Sequence, residues 1–583
     1  MEESRFQYIM NRIGLILLGI FYVVSIIMVV NSGAVGSGIL GKEKRLTFAH
    51  WQLEDGFREG FEDAIKEYER IKAEQGVKVK VVQTTVPVRG YAQWFLTQLI
   101  GGDCADVIEL SGNDDIRNQY FTPLSQYLGY PNPYNKGTPL EGMPWRDTFA
   151  DDMITALSQQ YSEYFGVSTF VMTTRMYVNV DLYEKAMGHK RMPETLQEWL
   201  DACKKIQEYG KKVDRPLIPI GVRGFDKGTI GQILNHYNDQ INASYNDSIS
   251  DYAYGTSNYE IYKRIAEKDP RVDLDRFLQP VEITTAIGRY FAKGFSAIDL
   301  EQTKFLFNSG NVAFFIDGTW NAFSMVNNSN FKVDVIPIPS IGKKPGLISV
   351  PGIREGAKYN YLGRMTEVGG GLGGLFGIPK STKHPELALD FLHFITSYRI
   401  SQLTMIRHSK WLSPLKKVDY AEAFNDEIGK MCHCKNNSVK TLSPAEKKEQ
   451  VELLQKCRPY EGSGYSNITT INSIGSKTVK DNILTLETMI IEQPKNPKQI
   501  FWNTIVNRVP DALREIEETI ITEKRTHWNN DGIRTAFTIG ALVDKKTYEN
   551  RIRLTMEGMV GRVKMLDDLL EVPSNLRKLE EIK

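Results

Sequence analysis

The chain of 583 residues is long enough for two to four domains of roughly 150 residues each, and its 41% hydrophobic and 25% charged residues are those of a folded protein. Its 72 Lys and Arg residues balance 71 Asp and Glu, a formal charge of +1, which leaves no electrostatic footprint for a nucleic acid.

The first element is an uncharged apolar run, Ile13–Val30, with no further charge before Lys42. As a helix its 18 residues span about 27 Å, enough to cross a hydrocarbon core of ~30 Å. Cleaved signal peptides carry a shorter apolar stretch of about 7–15 residues, so the length favours an uncleaved transmembrane anchor. Cleavage within the small-residue stretch 31–38 is the alternative. No cysteine lies near the run, which excludes lipid attachment there. Arg5 and Arg12 flank one end and Lys42, Lys44 and Arg45 the other, so charge does little to orient it. A single N-terminal anchor places residues 1–12 in the cytoplasm, 31–43 as a linker, and the bulk outside the cytoplasmic membrane, in the periplasm or at the cell surface.

Beyond the linker, strand and helix patterns alternate. Arg45–Trp51 reads as a strand, followed by a helix whose buried face is Phe57, Phe61, Ile65, Tyr68 and Ile71, with Asp55 as its N-cap. Val77, Val79 and Val81 alternate with lysines as a second strand. Ala92, Phe95, Leu96 and Leu99 mark a helix stopped by Gly101 and Gly102, and Ala105–Leu110 is a third strand. This order predicts a helix-covered parallel sheet with its ligand loops beyond the strands' carboxyl ends, at His50–Asp55, Thr84–Tyr91 and Ser111–Asp115. Further on, Thr195 and Glu198 form a capping box ahead of Trp199, Leu200, Cys203 and Ile206. Val312–Ile316 is a buried strand ending at Asp317 and Trp320; Val333–Pro339 is a strand broken by prolines; Pro385 opens a helix with Leu387, Ala388, Phe391, Leu392 and Ile395 inside. From Asp419 onward the pattern is mainly helical, charged and without repeats.

Several motifs fail on chemistry. Gly36–Lys42 approaches a phosphate loop, but Glu43 stands where a magnesium-binding hydroxyl belongs and no strand precedes it. Gly369–Lys380 is glycine-rich, but Pro379 interrupts it and no Gly-Lys-Ser/Thr is present. Neither a nucleophile elbow, a zinc-protease helix nor a calcium loop is present, and eight histidines are scattered widely. A glycosidase needs only two carboxylates at a fixed distance, which 71 acidic residues leave open. Of the five cysteines, Cys203 falls on an apolar helix face, and Cys432, Cys434 and Cys457 suit a disulfide or buried thiols; Cys432-His433-Cys434 is one cluster where structural zinc takes two. No cofactor or metal is expected.

LTFAHW (46–51), GFREGFEDAIKEYER (56–70), VKVKVV (77–82) and QLIGGDCADVIEL (98–110) together resemble the first lobe of the family 1 extracellular solute-binding proteins of ABC importers, the maltose-binding-protein-like, sugar type. The run 164–200, FNSGNVAFFIDGTWNAF (307–323) and 369–397 are similar to later signatures of that family, in its order, across Leu46–Leu415. The resemblance implies an α/β, two-lobed periplasmic-binding-protein-like clamp and no enzyme. The first lobe would be 44–160 plus 336–397, the second 165–332 plus 400–525, with a helical extension over 526–583. Crossings are expected near Tyr161–Ser168, Val333–Pro339 and Thr396–Gln402. The lipid-bearing cysteine is replaced by the apolar run, the proline before the third strand's Asp by Ala105, and the C-terminal part is longer than usual.

Sugars present apolar C–H faces and rings of hydroxyls, which suit aromatic plates flanked by carboxylates, amides and guanidinium groups. Trp51 and Gln52 after the first strand, and Asn113 and Asp114 after the third, are the first-lobe candidates; a core Trp and turn residues are their plainer readings. Trp320, matching the family's Asp-Gly-x-Trp, is the second-lobe aromatic candidate. Asp317 beside it also suits a turn. Gly370, within Gly369–Gly371, would let backbone approach the ligand; Arg407 and Trp411 would return late to the cleft. The expected partners are a mono- or oligosaccharide, ABC permease subunits and, through the anchor, the membrane. Two rivals remain: an anchored carbohydrate-active enzyme, and a scaffold or sensor subunit with a degenerate cleft.

Overall fold

The computed structural model describes residues 43–53, 56–158, 161, 163–224, 228–249, 258–363, 366–367, 371–433, 442–459, 464–465, 485–490 and 496–522. The apolar run Ile13–Val30, the extension 526–583, Asp55, Gly369, Gly370 and Cys434 lie outside them. Among the described residues no helix is long and apolar enough to cross a membrane.

Strand β1 (Lys44–His50) buries Leu46 and Phe48 on one face and pairs in parallel with β2 (Val79–Thr85) and β3 (Val107–Glu109). Helix α1 (Phe57–Glu74) covers them through Phe57, Phe61, Ala64, Ile65 and Tyr68, a stripe at helical spacing. Its cap position falls on Gly56 rather than Asp55. Gly56 has φ +87°, and a Cβ there would stand 2.2 Å from the His408 carbonyl oxygen, so only glycine fits both the left-handed backbone and the close approach. Helix α2 (Val88–Gly101) ends, as its glycines predict, on left-handed Gly102. Helix α3 (Asp114–Tyr120) follows β3.

Strands β4 (Val167–Met172) and β5 (Thr174–Asn179) are nearly one strand, divided at Thr173 between two sheets. Helix α4 (Leu196–Lys212) carries the expected capping box: the Glu198 amide donates to Thr195 Oγ1 at 3.3 Å, and the Thr195 amide donates to Glu198 Oε2 at 3.2 Å. Strands β6 (Ile218–Gly221), β7 (Val312–Gly318) and β8 (Val333–Ile336) complete the second sheet, ordered β8-β5-β7-β6. Strand β9 (Gly371–Gly377) returns to the first sheet, ordered β2-β1-β3-β9-β4, and runs antiparallel to both its neighbours. Both sheets are therefore mixed, not purely parallel. The first crossing falls at Thr173, beyond the expected Tyr161–Ser168, and Val333–Ile336 is an edge strand of the second sheet whose crossing comes only after it.

Helix α5 (Pro385–Ile395) starts on its proline and packs against α1. The segment 400–432, expected in the second lobe, stays on the first: Leu403, Met405 and Ile406 share one apolar core with Phe57 and Phe61, and the turn that carries them packs on α1. Within it Gln402–His408 makes wide π-type turns. Helix α6 (Pro444–Cys457) then lies against β8 of the second sheet. Because strand side chains alternate faces, Tyr177 of β5 joins this continuous core while Met176 and Val178 join a second one with Trp199, Ile206 and Phe314. Cys104, Cys203, Cys432 and Cys457 are free thiols.

Candidate functional site: the strand ends and the crossing

At the carboxyl ends of β1 and β3 a buried carboxylate organises the loops. Glu109, fully buried as the last residue of β3, accepts from Gln52 Nε2 at 2.6 Å and from the Trp51 amide at 3.3 Å. Its own carbonyl accepts from the Tyr91 hydroxyl at 2.6 Å. Tyr91 in turn meets the half-buried Trp51 ring edge-on at 4.7 Å, so the indole is held by packing beneath and a carboxylate behind. Gln52 is 3% exposed: its amide serves Glu109. Leu53 and Val88 stand exposed beside this patch. His50, buried at the end of β1, accepts from the Gln52 amide at 3.1 Å, and burial pushes its imidazole down to about 3, so it is neutral at physiological pH.

Asn113 caps α3, its Oδ1 accepting from the Ile116 amide at 3.1 Å. Asp114 accepts from Ser158 Oγ at 2.6 Å and from Arg117 at 3.3 Å. Both lie at the same sheet end as Trp51, but with roles inside the first lobe.

On the second lobe, Asp317 near the end of β7 is fully buried, pairs in register with Arg175 and accepts from Asn321 Nδ2 at 2.6 Å. Burial pushes its carboxyl up, and Arg223, just past β6, pulls the other way. Trp320 folds back over Gly318: a Cβ on that glycine would stand 2.1 Å from the indole. Trp320 and Trp411 do come together, lining a cavity of about 10 Å³ with Met172, Lys410, Leu454 and Cys457, room for a single water. Trp411 is otherwise core, with Phe57 at 4.3 Å and Phe170 at 4.8 Å. Arg407 stands apart, donating to the carbonyls of Ala423 and Asn425 at 3.2 and 3.1 Å.

Reading by position missed Glu109, Tyr91, Arg223 and Lys410. Lys410 is held in the left-handed region at φ +58°, and burial with Arg407 nearby lowers its ammonium to about 8. Glu109 had a signal: an acid set between apolar residues, after Val107 and Ile108 and before Leu110.

Two α/β sheets joined by a strand that changes sheet, with an aromatic and carboxylate-braced edge at the strand ends, define a two-lobed binding fold. The chain belongs to the bacterial extracellular solute-binding protein family, which matches residues 51–399, more than half of its length. That family is one of receptors, not enzymes. No curated protein matches the sequence. Among solved structures, the GacH receptor of Streptomyces glaucescens GLA.O, solved unliganded and with acarbose, is similar at 15% identity and a TM-score of 0.51, over 81% of this chain and 99% of that one. A chitin oligosaccharide binding protein is similar at 14% identity and a TM-score of 0.51, over 82% and 100%. An ABC transporter solute-binding protein from Thermotoga lettingae TMO, bound with α-D-tagatose, is similar at 14% and 0.50, over 81% and 100%. At such identities the likeness is one of fold.

Proposed function

We propose that the chain is a membrane-anchored receptor that captures a carbohydrate between its lobes and delivers it to an ABC permease. The observation that carries this is the braced edge at Trp51: an indole fixed on Tyr91, with its loop tied to the buried Glu109, offers a rigid apolar face of the kind a sugar ring covers. Trp320, with Asp317 and Arg223 nearby, is the proposed counterpart on the second lobe, and Asn113 and Asp114 line the first-lobe rim. The sugars named for the similar structures favour this ligand class, and the run Ile13–Val30 supports the anchor.

A second reading, a partner-binding subunit with a closed cleft, is favoured by Leu454 and Cys457 of α6, which fill the space between Trp320 and Trp411 down to one water. One experiment separates the two. The full chain in detergent is screened by thermal shift against mono- and oligosaccharides, amino acids and polyols. A receptor gains about 2.7 kcal/mol at a hundredfold excess over Kd, and Trp320→Ala removes the gain while leaving the protein folded. A flat screen on folded protein rejects the receptor and leaves the partner-binding subunit.

A further inference from the structure

Helix α1 is amphipathic, yet one face carries residues that hydrophobic packing does not explain. Gly56, Gly60, Asp63 and Glu67 follow one another at spacings of three or four and so line one side of the helix. The two glycines admit the His408 segment: a Cβ on Gly56 would strike its carbonyl oxygen, and one on Gly60 would lie 3.1 Å from the His408 Cβ. Where the segment touches down, it meets acids. Asp63 is fully buried and its Oδ2 lies 3.0 Å from His408 Nε2. Cys432 arrives from a third place in the chain, and the ligand atoms of Asp63, His408 and Cys432 all lie within 4.8 Å of one another. Just beyond, Glu67 meets His433 Nε2 at 3.4 Å.

We propose that Asp63, His408 and Cys432 form a zinc(II) site in the first lobe, separate from the solute cleft. A carboxylate oxygen, an imidazole nitrogen and a thiolate are the borderline-soft donors that zinc takes in tetrahedral sites, with water in the fourth position. Bonds of about 2.0–2.3 Å set tetrahedral ligand atoms roughly 3.3–3.7 Å apart, so the Asp63–His408 spacing is already near the mark and Cys432 has at most about 1.5 Å to close. The His408 side chain is 2% exposed, and among the described residues its Nδ1 is buried with no hydrogen-bond partner, a buried lone pair that a metal could take. Arg407 is placed to hydrogen-bond the Cys432 sulfur, the outer-shell support that a metal-bound thiolate uses. Two negative ligands balance the dication; Lys66 lies 3.8 Å from Asp63, and Lys410 and Arg407 face Cys432. The metal would pin the π-type turn Gln402–His408 and the loop at Cys432 onto α1, joining three distant parts of the first lobe.

The test uses the full chain in detergent, stripped with chelator and kept reduced, and titrated with Co²⁺. One Co²⁺ per chain, with a thiolate-to-cobalt charge-transfer band that Zn²⁺ then displaces, is the expected result. Cys432→Ser, a conservative change at a half-buried position, loses the band, and zinc no longer raises the melting temperature. His408→Ala loses the metal as well. Folded wild-type protein with no cobalt band, or a Cys432→Ser variant that binds as well as the wild type, overturns the site.

Discussion

Arg175→Ala is expected to destabilise the protein by about 3–5 kcal/mol, because its guanidinium closes a set of buried carbonyls at the point where the chain changes lobe. Arg175, the second residue of β5, is 1% exposed. Its Nε donates to the Lys456 carbonyl at 3.1 Å, its Nη1 to the Thr174 carbonyl at 2.8 Å and its Nη2 to the Arg458 carbonyl. Thr173 Oγ1, one residue past β4, adds a bond to the Cys457 carbonyl at 2.7 Å. The last turn of a helix leaves carbonyls without intrahelical partners and carries a partial negative charge, and a buried cation answers both needs. Alanine strands three acceptors at once. Urea unfolding reads the loss, and hydrogen exchange in the variant should show residues 444–457 losing protection before the first-lobe sheet does. A variant within 1 kcal/mol of wild type would mean that α6 is held by Leu453, Leu454 and Cys457 alone.

Gly318→Ala is expected to cost at least as much solute affinity as Trp320→Ala, and about 1–3 kcal/mol of stability besides. The added Cβ would stand 2.1 Å from two atoms of the indole and 2.3 Å from a third, distances no packing tolerates, so the ring must leave its place over the strand. Trp320 is a neighbour in sequence, so the displacement cannot be absorbed by a distant side chain. Since both changes remove the same platform, the double variant should bind no more weakly than either single one, a non-additivity that calorimetry with the sugar found by thermal shift can measure. Additive losses would show that Gly318 and Trp320 act independently, and would remove Trp320 from the proposed cleft.

How far the sequence led depends on whether a feature is periodic or singular. The alternation in β1 and β2, the apolar stripe of α1, Gly102 and the Thr195–Glu198 box are local patterns, and each produced the element it predicts. The crossing at Thr173 has no such mark. VSTFVM and TRMYVN are both buried strands, and the switch between sheets comes from pairing with β9 on one side and β7 on the other, partners more than 100 residues away in sequence. Arg175, Asp63 and Glu67 are charged residues buried by long-range packing, which no local pattern marks. For the proposed site the sequence marks positions and not side-chain roles: Trp51, Gln52, Asn113 and Asp114 do follow β1 and β3, but whether an amide faces a ligand or a neighbouring acid depends on groups such as Glu109 brought in from another strand.

Capture by lobe closure is the centre of this account, and small-angle neutron scattering of the full chain in contrast-matched detergent tests it most directly. With a sugar that raises the melting temperature, closure gives a smaller radius of gyration at saturation, reversed on removing the ligand, as two lobes hinged near Thr173 close over it. A sugar that saturates the protein with no change in its radius would contradict closure, and with it the reading of the two lobes as a clamp.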